Sequence, residues 1–368
     1  MAALLVCGLC AHVQAQAQPP APSASREAAP APADVPWRAA GTTIVVREAK
    51  TFRSAGASLS GTLYLPSRAV PVGVVVVTHA ASLPLRDASL YRHLTQMLPA
   101  MGTAVFVYDR RGSGGSGGDL QTSDYNLLAD DAIAAAHMLA ADPRIDARRI
   151  GAWGLSQGGW LTLLAASRDP IISYAVSIAA PVVTSDVQMM YRSTNVMTVN
   201  GYPPAEVERM RAARRAVDDY MRGRGDRETA QRLVDDIRDL PWFKDMYMGR
   251  TVGDRETSRW RREIEHDPLQ TLGAVKVPAL VLFGGVDPVV PVAASMASIR
   301  SHMAGRANLR IAVIADANHA LQIGVDPKAA LAAGAAGAPN APEYFAILSE
   351  WLTRQGATTP ETAVLPDR

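Results

Sequence analysis

The sequence predicts an α/β protein built on a doubly wound, mostly parallel β-sheet that carries a helical cap insertion. Three observations predict it. Residues 73–78, Gly-Val-Val-Val-Val-Thr, form a short, β-branched apolar run of the kind a strand covered on both faces requires. Runs like it then alternate with stretches of helical spacing, the pattern of right-handed crossovers between parallel strands. Between residues 185 and 267 the alternation stops, and the chain becomes rich in Arg, Asp, Glu and Met with helical periodicity and no apolar strand run.

In chain order, residues 4–11 are a short apolar run followed by Ala15-Gln16-Ala17, an A-x-A cleavage pattern. Residues 1–17 are therefore expected to be a signal peptide and the protein to be exported to the periplasm or secreted. The competing reading is an apolar first element of the fold. Residues 18–36 are mostly Ala, Pro, Ser and Gln, too poor in apolar surface to offset the entropy of ordering, and are expected to be a disordered leader. Strands are predicted at 43–46, 59–65, 73–78, 103–108, 150–154, 171–178, 279–283 and 309–314. Helices are predicted at 87–101, 124–141, 157–167 and 344–351. The core is thus expected at 37–184 and 268–357, with the cap at 185–267.

Composition excludes several functions. The 37 Lys and Arg against 35 Asp and Glu leave a formal charge of +2, with no basic arm for nucleic acid or an anionic membrane. Neither stable membrane insertion nor a nucleic-acid partner is expected. Both cysteines, Cys7 and Cys10, fall in the expected signal peptide, so a thiol nucleophile or thiolate metal site is not expected. None of the seven histidines forms the i, i+4 pair of a helical zinc motif. Neither metal nor cofactor is expected.

The chemistry is expected at Gly154-Leu155-Ser156-Gln157-Gly158, a G-x-S-x-G segment lying between a predicted strand and a predicted helix. That context matters because a sharp strand-to-helix turn lifts the serine hydroxyl above the sheet edge, and the flanking glycines remove side chains that would clash. Ser156 is the candidate nucleophile, and the Gln157 N–H at the helix start is aimed where an oxyanion would form. Asp287 follows a strand and a Gly turn, and His319 follows the next strand, in the chain order Ser, acid, His. Parallel strands present their C-terminal ends together, so all three are expected at one sheet edge. Asp316 is a rival acid, disfavoured because it lies only three residues before the histidine. Ala81, in the loop after the 73–78 strand, is the candidate for the second oxyanion N–H, and His79 is read as a structural support of that loop. His93, His137, His266 and His302 are read as ordinary helix histidines. Gly112-Ser113-Gly114-Gly115-Ser116-Gly117 fits a dinucleotide-binding pattern, but no helix opens immediately after it, and a flexible loop is expected instead.

Asp109-Arg110-Arg111-Gly112-Ser113-Gly114-Gly115-Ser116, the Ser156 turn and the Asp287 strand together resemble the alpha/beta-hydrolase superfamily. The resemblance is strongest to bacterial secreted serine esterases related to the dienelactone hydrolase and prolyl oligopeptidase catalytic domains. It runs from about residue 56 to 351, interrupted by the insertion, and implies a helical cap there. In that family the strand before the first helix usually ends His-Gly, whereas this chain has His79-Ala80. The resemblance implies a Ser-His-Asp hydrolase acting on a small-molecule ester through an acyl-enzyme. A peptidase or lactonase of the same fold, or a catalytically silent ligand-binding protein, are the alternatives.

Overall fold

The computed structural model describes residues 44–331 and 338–357. The expected signal peptide and leader lie outside the described residues. The described residues open with a hairpin of β1 (Val45–Ser54) and β2 (Ala57–Pro66), whose two-residue turn, Ala55-Gly56, has both φ values positive as a tight hairpin requires. β1 runs eight residues beyond the predicted 43–46. It is an edge strand whose neighbour in the sheet is β2, so Arg47, Glu48 and Lys50 are accommodated and the apolar signal of a strand is absent.

Then follow β3 (Val72–Thr78), α1 (Arg92–Ala100), β4 (Ala104–Tyr108), α2 (Tyr125–Ala140), β5 (Ile145–Leu155), α3 (Gln157–Arg168) and β6 (Tyr174–Ile178). After the insertion come α8 (Pro268–Ala274), β7 (Ala279–Gly284), α9 (Val292–Met303), β8 (Leu309–Ile314) and α10 (Pro342–Arg354). The eight strands are ordered β1-β2-β4-β3-β5-β6-β7-β8, antiparallel across β1/β2 and β2/β4 and parallel from β4 through β8. Strand order reverses at β3, between β4 and β5, which opens the crevice where ligands bind in such sheets.

The two faces of the sheet carry separate cores. Val74 and Val76 of β3 pack with α2 and α3, while Val75 and Val77 pack with α1 and α10, the period-two alternation that made the run wholly apolar. α9 escaped sequence reading because its Val-Ala-Ala-Ser-Met-Ala-Ser stretch is small and weakly amphipathic.

The insertion holds α4 (Ser185–Val199), α5 (Pro204–Met221), α6 (Arg227–Asp235), a short 3-10 helix (Phe243–Met246) and α7 (Arg259–Ile264), with no strand among its residues. Met197, Met210, Trp242, Phe243 and Met246 form a third apolar cluster inside it. Trp242, Phe243 and Met246 are thus spent on the cap's own core.

The glycine-rich stretch 112–118 is a loop between β4 and α2, and it is tied down rather than loose. Asp109 Oδ2 accepts the Gly115 N–H at 2.8 Å, Ser116 Oγ donates to the Asp109 carbonyl at 2.6 Å, and Gly117 N–H donates to the Ser58 carbonyl at 2.8 Å. Next to it, Arg111 and Asp131 are both buried and joined by two hydrogen bonds of 2.5 and 3.1 Å, with a third from Arg111 to the Ser54 carbonyl at 2.8 Å. Removing one partner would leave a buried charge uncompensated. Arg111→Met is therefore expected to destabilise the fold by about 3–5 kcal/mol. Chemical denaturation of the variant against wild type checks this, and a change below about 1 kcal/mol contradicts it.

Candidate active site

Ser156 sits between β5 and α3 with φ 58° and ψ −122°, a conformation L-residues rarely adopt. The turn is tight because α3 starts directly against β3. A Cβ on Gly154 would stand 2.2 Å from Thr78 Oγ1, and one on Gly158 would stand 2.5 Å from the Thr78 carbonyl. The Thr78 hydroxyl lies 2.7 Å from the Gly158 carbonyl and 2.8 Å from Thr162 Oγ1, stitching β3 to α3. Ser156 N–H in turn donates to the Ile178 carbonyl of β6 at 2.7 Å.

His319 follows β8 and Asp287 follows β7. His319 Nδ1 lies 2.8 Å from Asp287 Oδ2, with both side chains buried. The other carboxylate oxygen accepts from the Val289 and Val290 N–H groups at 2.7 and 2.9 Å. These bonds hold the carboxylate in one orientation. A carboxylate only accepts, so Nδ1 carries the proton and Nε2 is the free basic nitrogen. Asp316 is exposed and lies outside this pair. The two loops can approach because Gly284 and Gly285 lack side chains: Cβ atoms there would stand 2.2 Å from the Asn318 carbonyl and 2.3 Å from the Ala315 carbonyl.

Ala81 and Gln157 face the same cavity as Ser156 and His319. Among the described residues, no acceptor takes the N–H of either. Ala80 N–H, by contrast, donates to Tyr91 Oη at 3.2 Å, and Tyr91 Oη–H donates to the Leu83 carbonyl at 2.7 Å. Ala80 has no positive φ, so alanine stands in for the family's glycine without strain. His79, just past β3, packs edge-on against the Tyr91 and Tyr108 rings. It is buried, its Nε2 lies 2.5 Å from the Tyr108 carbonyl, and desolvation holds its pKa down at about 3. His93, His137 and His302 lie on helices and His266 in the turn between α7 and α8, and none of them lines the cavity.

Several site residues were not singled out by sequence. Arg110, just past β4, is buried and donates to the Ala81 carbonyl at 2.8 Å, the Ala80 carbonyl at 3.4 Å and Gln157 Oε1 at 3.0 Å, bracing both candidate oxyanion segments. Asn318 accepts from the Ala320 and Gln322 N–H groups at 2.9 Å each, shaping the loop that carries His319. The cap reaches the acid loop through one face of α4. Tyr191 Oη donates to the Asp287 carbonyl at 3.2 Å, Asn195 Nδ2 to the Pro288 carbonyl at 2.8 Å and Gln188 Nε2 to the Val289 carbonyl at 2.8 Å. Their i, i+3, i+7 spacing was the available signal, but nothing in the sequence says what that face meets.

The cavity, about 680 Å³, lies between the C-terminal edge of the sheet and the cap. Five charged residues line it: Arg192, Arg214, Arg259, Asp218 and Glu263. Of the closely spaced cap charges, Arg209 and Arg211 pair with Glu206 and Glu208 on the surface, and Asp219 pairs with Arg224. Arg214 and Asp218 are instead buried at the cavity wall. One part of α5 is thus a solvated surface and another part is cavity wall. Arg259 is matched by Glu263 at 2.7 Å. Burial pushes Asp218 up to about 6, although its Oδ1 accepts from Trp260 Nε1 at 2.8 Å.

Comparison with known proteins agrees with this architecture. An esterase of Pyrococcus furiosus superposes with a TM-score of 0.56 at 18% identity, covering 84% of this chain and 91% of that one. Est1E from Butyrivibrio proteoclasticus, solved with ferulic acid, superposes at 0.53 with 14% identity, covering 84% and 100%. An acylaminoacyl peptidase of Pyrococcus horikoshii gives 0.52 at 17% identity, covering 88% of this chain and 43% of that one. These similarities establish the fold. In sequence, a venom dipeptidyl peptidase 4 of Vespula vulgaris is 29% identical over 154 residues, and a thiohydrolase of Arthrinium phaeospermum is 33% identical over 130. The matches take in 39% and 34% of this chain but only 20% and 41% of those relatives. The family model described as serine aminopeptidase, S33, matches residues 70–326, a span that includes Ser156, Asp287 and His319. The chain belongs to that family of alpha/beta hydrolases.

Proposed function

We propose that this hydrolase cleaves carboxylic esters of small substrates, with Ser156 as nucleophile, His319 as general base and Asp287 as the acid that orients it. The observation that carries the proposal is the Asp287–His319 hydrogen bond, which leaves Nε2 basic at the sheet edge where Ser156 is lifted out by its strained turn. In this scheme His319 Nε2 takes the hydroxyl proton as Ser156 Oγ attacks the acyl carbon. The Ala81 and Gln157 N–H groups stabilise the oxyanion. Collapse breaks the acyl–oxygen bond, the alcohol leaves with the proton from His319, and water, activated by the same nitrogen, releases the acid.

A small ester is favoured by the site's size and charge. The cavity falls within the range of small-molecule pockets. A peptidase is the second reading, favoured by the aminopeptidase description of the family and by the peptidase relatives. An aminopeptidase must hold a protonated amine, however, and here three arginines face two carboxylates, one of them already paired with Arg259. That balance repels a cationic terminus.

Ser156→Ala is expected to lower esterase turnover by about three orders of magnitude or more, with an unchanged circular dichroism spectrum. A fluorophosphonate probe should add its mass to the wild type and not to the variant. Labelling of both proteins would locate the nucleophile elsewhere. Asp287→Asn should cost about 10³-fold or more in kcat, because the amide cannot hold the ring with Nε2 free. Asp316→Asn, at an exposed position, should stay within about threefold. The reverse order would show the wrong carboxylate. Finally, kcat/KM should be highest for nitrophenyl acetate or butyrate, below that for palmitate, and lowest for an aminoacyl anilide. An optimum at palmitate or the anilide would refute the substrate class.

A further inference from the structure

Among the cap arginines, Arg192 and Arg214 differ from their neighbours. Arg209, Arg211, Arg222 and Arg259 pair with Glu206, Glu208, Asp186 and Glu263 at 2.6–2.9 Å. Arg192 and Arg214 line the cavity, and neither has a carboxylate at ion-pairing distance among the described residues. Each is held instead by a backbone carbonyl of the turn that ends the 3-10 helix. Arg192 Nη1 donates to the Asp245 carbonyl at 2.8 Å, and Arg214 Nη2 donates to the carbonyl of the next residue, Met246. The following residue, Tyr247, turns with φ 50° and places its ring 4.5 Å from the Arg192 guanidinium. One turn thus fixes two guanidinium groups side by side at the cavity wall.

This arrangement costs free energy unless something else is bound. Arg214 is 2% exposed, and its Nε–H has no hydrogen-bond partner among the described residues. Desolvation, with the neighbouring Arg192 adding to it, holds its pKa down at about 10 although Asp218 acts the other way. Two carboxylates act on them: Asp245, which is exposed and does not line the cavity, on Arg192, and the buried Asp218, one helical turn beyond Arg214, on Arg214, its Oδ1 engaged by Trp260. At the cavity wall the two guanidinium groups therefore face the single carboxylate of Asp218. A buried donor without an acceptor is destabilising, more so when charged. An anion accepting from that Nε–H and balancing the residual charge would remove the cost.

We propose that the Arg192–Arg214 pair is a carboxylate-binding subsite, so that the ester substrate carries a carboxylate remote from its scissile bond, as in a half-ester of a dicarboxylic acid. This rests on the ester hydrolase reading above for what happens to the bound molecule, but not for the binding itself. A planar carboxylate matches the fork of guanidinium donors, and its single charge matches the excess of the two guanidinium groups over Asp218 at the cavity wall. A phosphate dianion would overcompensate it beside Asp218.

Kinetics and binding separate the two claims. Monoethyl adipate and its neutral counterpart ethyl hexanoate, followed by pH-stat with wild-type enzyme, are expected to differ by at least about tenfold in kcat/KM in favour of the half-ester. Arg192→Met and Arg214→Lys should each lower that ratio by about tenfold, the second because it keeps the charge but loses the fork. Arg215→Met, on the same helix but exposed, should leave the ratio unchanged. Arg192 is the less buried of the pair, so its variant serves if the Arg214 variant fails to fold. In parallel, calorimetric titration of Ser156→Ala with monoethyl adipate should show saturable binding that weakens at least about tenfold when Arg192→Met is added. Such binding without turnover of either ester would uphold the subsite and refute the esterase reading. Turnover of both esters with equal efficiency, and no binding difference between the Ser156→Ala proteins with and without Arg192→Met, would overturn the subsite and leave the esterase reading standing. Tighter binding of methyl phosphate than of the half-ester would overturn the carboxylate assignment.

Discussion

Gly158 lies so close to the end of β3 that a Cβ there would stand 2.5 Å from the Thr78 carbonyl, and the rest of the site is arranged around that contact. Because α3 starts directly against β3, the chain leaving β5 must turn within one residue. That residue is Ser156, held at positive φ. The same contact brings the N-terminus of α3 beside the loop that follows β3, so the Gln157 and Ala81 N–H groups open onto one cavity. The strain at Ser156, of order 1–3 kcal/mol, is opposed by the Thr78 hydroxyl bridging Gly158 and Thr162 and by the Ser156 N–H bond to β6.

Charge does the bracing where backbone packing ends. Arg110 joins the Ala80–Ala81 loop to the Gln157 side chain, so the segments on either side of the elbow are held by one guanidinium in a buried position where its hydrogen bonds are little competed for by water. The neighbouring Arg111 does a purely structural task with Asp131. Two adjacent arginines with an identical appearance in sequence thus divide between site and scaffold according to which side of the chain each leaves after β4.

The cap is more than a roof. Three α4 side chains bind three consecutive carbonyls of the loop carrying Asp287, so the position of the cap and the orientation of the proposed acid are coupled through hydrogen bonds. The same helix carries Arg192 to the cavity, one residue beyond Tyr191. A ligand that engages Arg192 would therefore act on the helix that holds the acid loop, linking substrate recognition to the proposed catalytic machinery without a separate moving part.

The doubly wound sheet was legible because buried parallel strands must be apolar on both faces, as Val74–Val77 are, and strand ends mark where chemistry-bearing residues emerge. Ser156, Asp287 and His319 each follow such an end, so order and position alone brought them to one edge. β1 was largely hidden, because an edge strand tolerates polar residues, and α9 because its small side chains give little helical contrast. The cap was legible as helices but not as a surface: the spacing of Arg209, Arg211, Arg214, Arg215 and Asp218 describes one helix and cannot say which side is solvent. Only packing against the other cap elements decided that Arg214 and Asp218 are buried at the cavity while Arg209 and Arg211 are paired outside. Local sequence determines what an element is and which residues share a face. The choice of what that face meets is made by residues far away in the chain, here the Asp245–Met246 carbonyls and the Asp287 loop, and belongs to the tertiary structure alone.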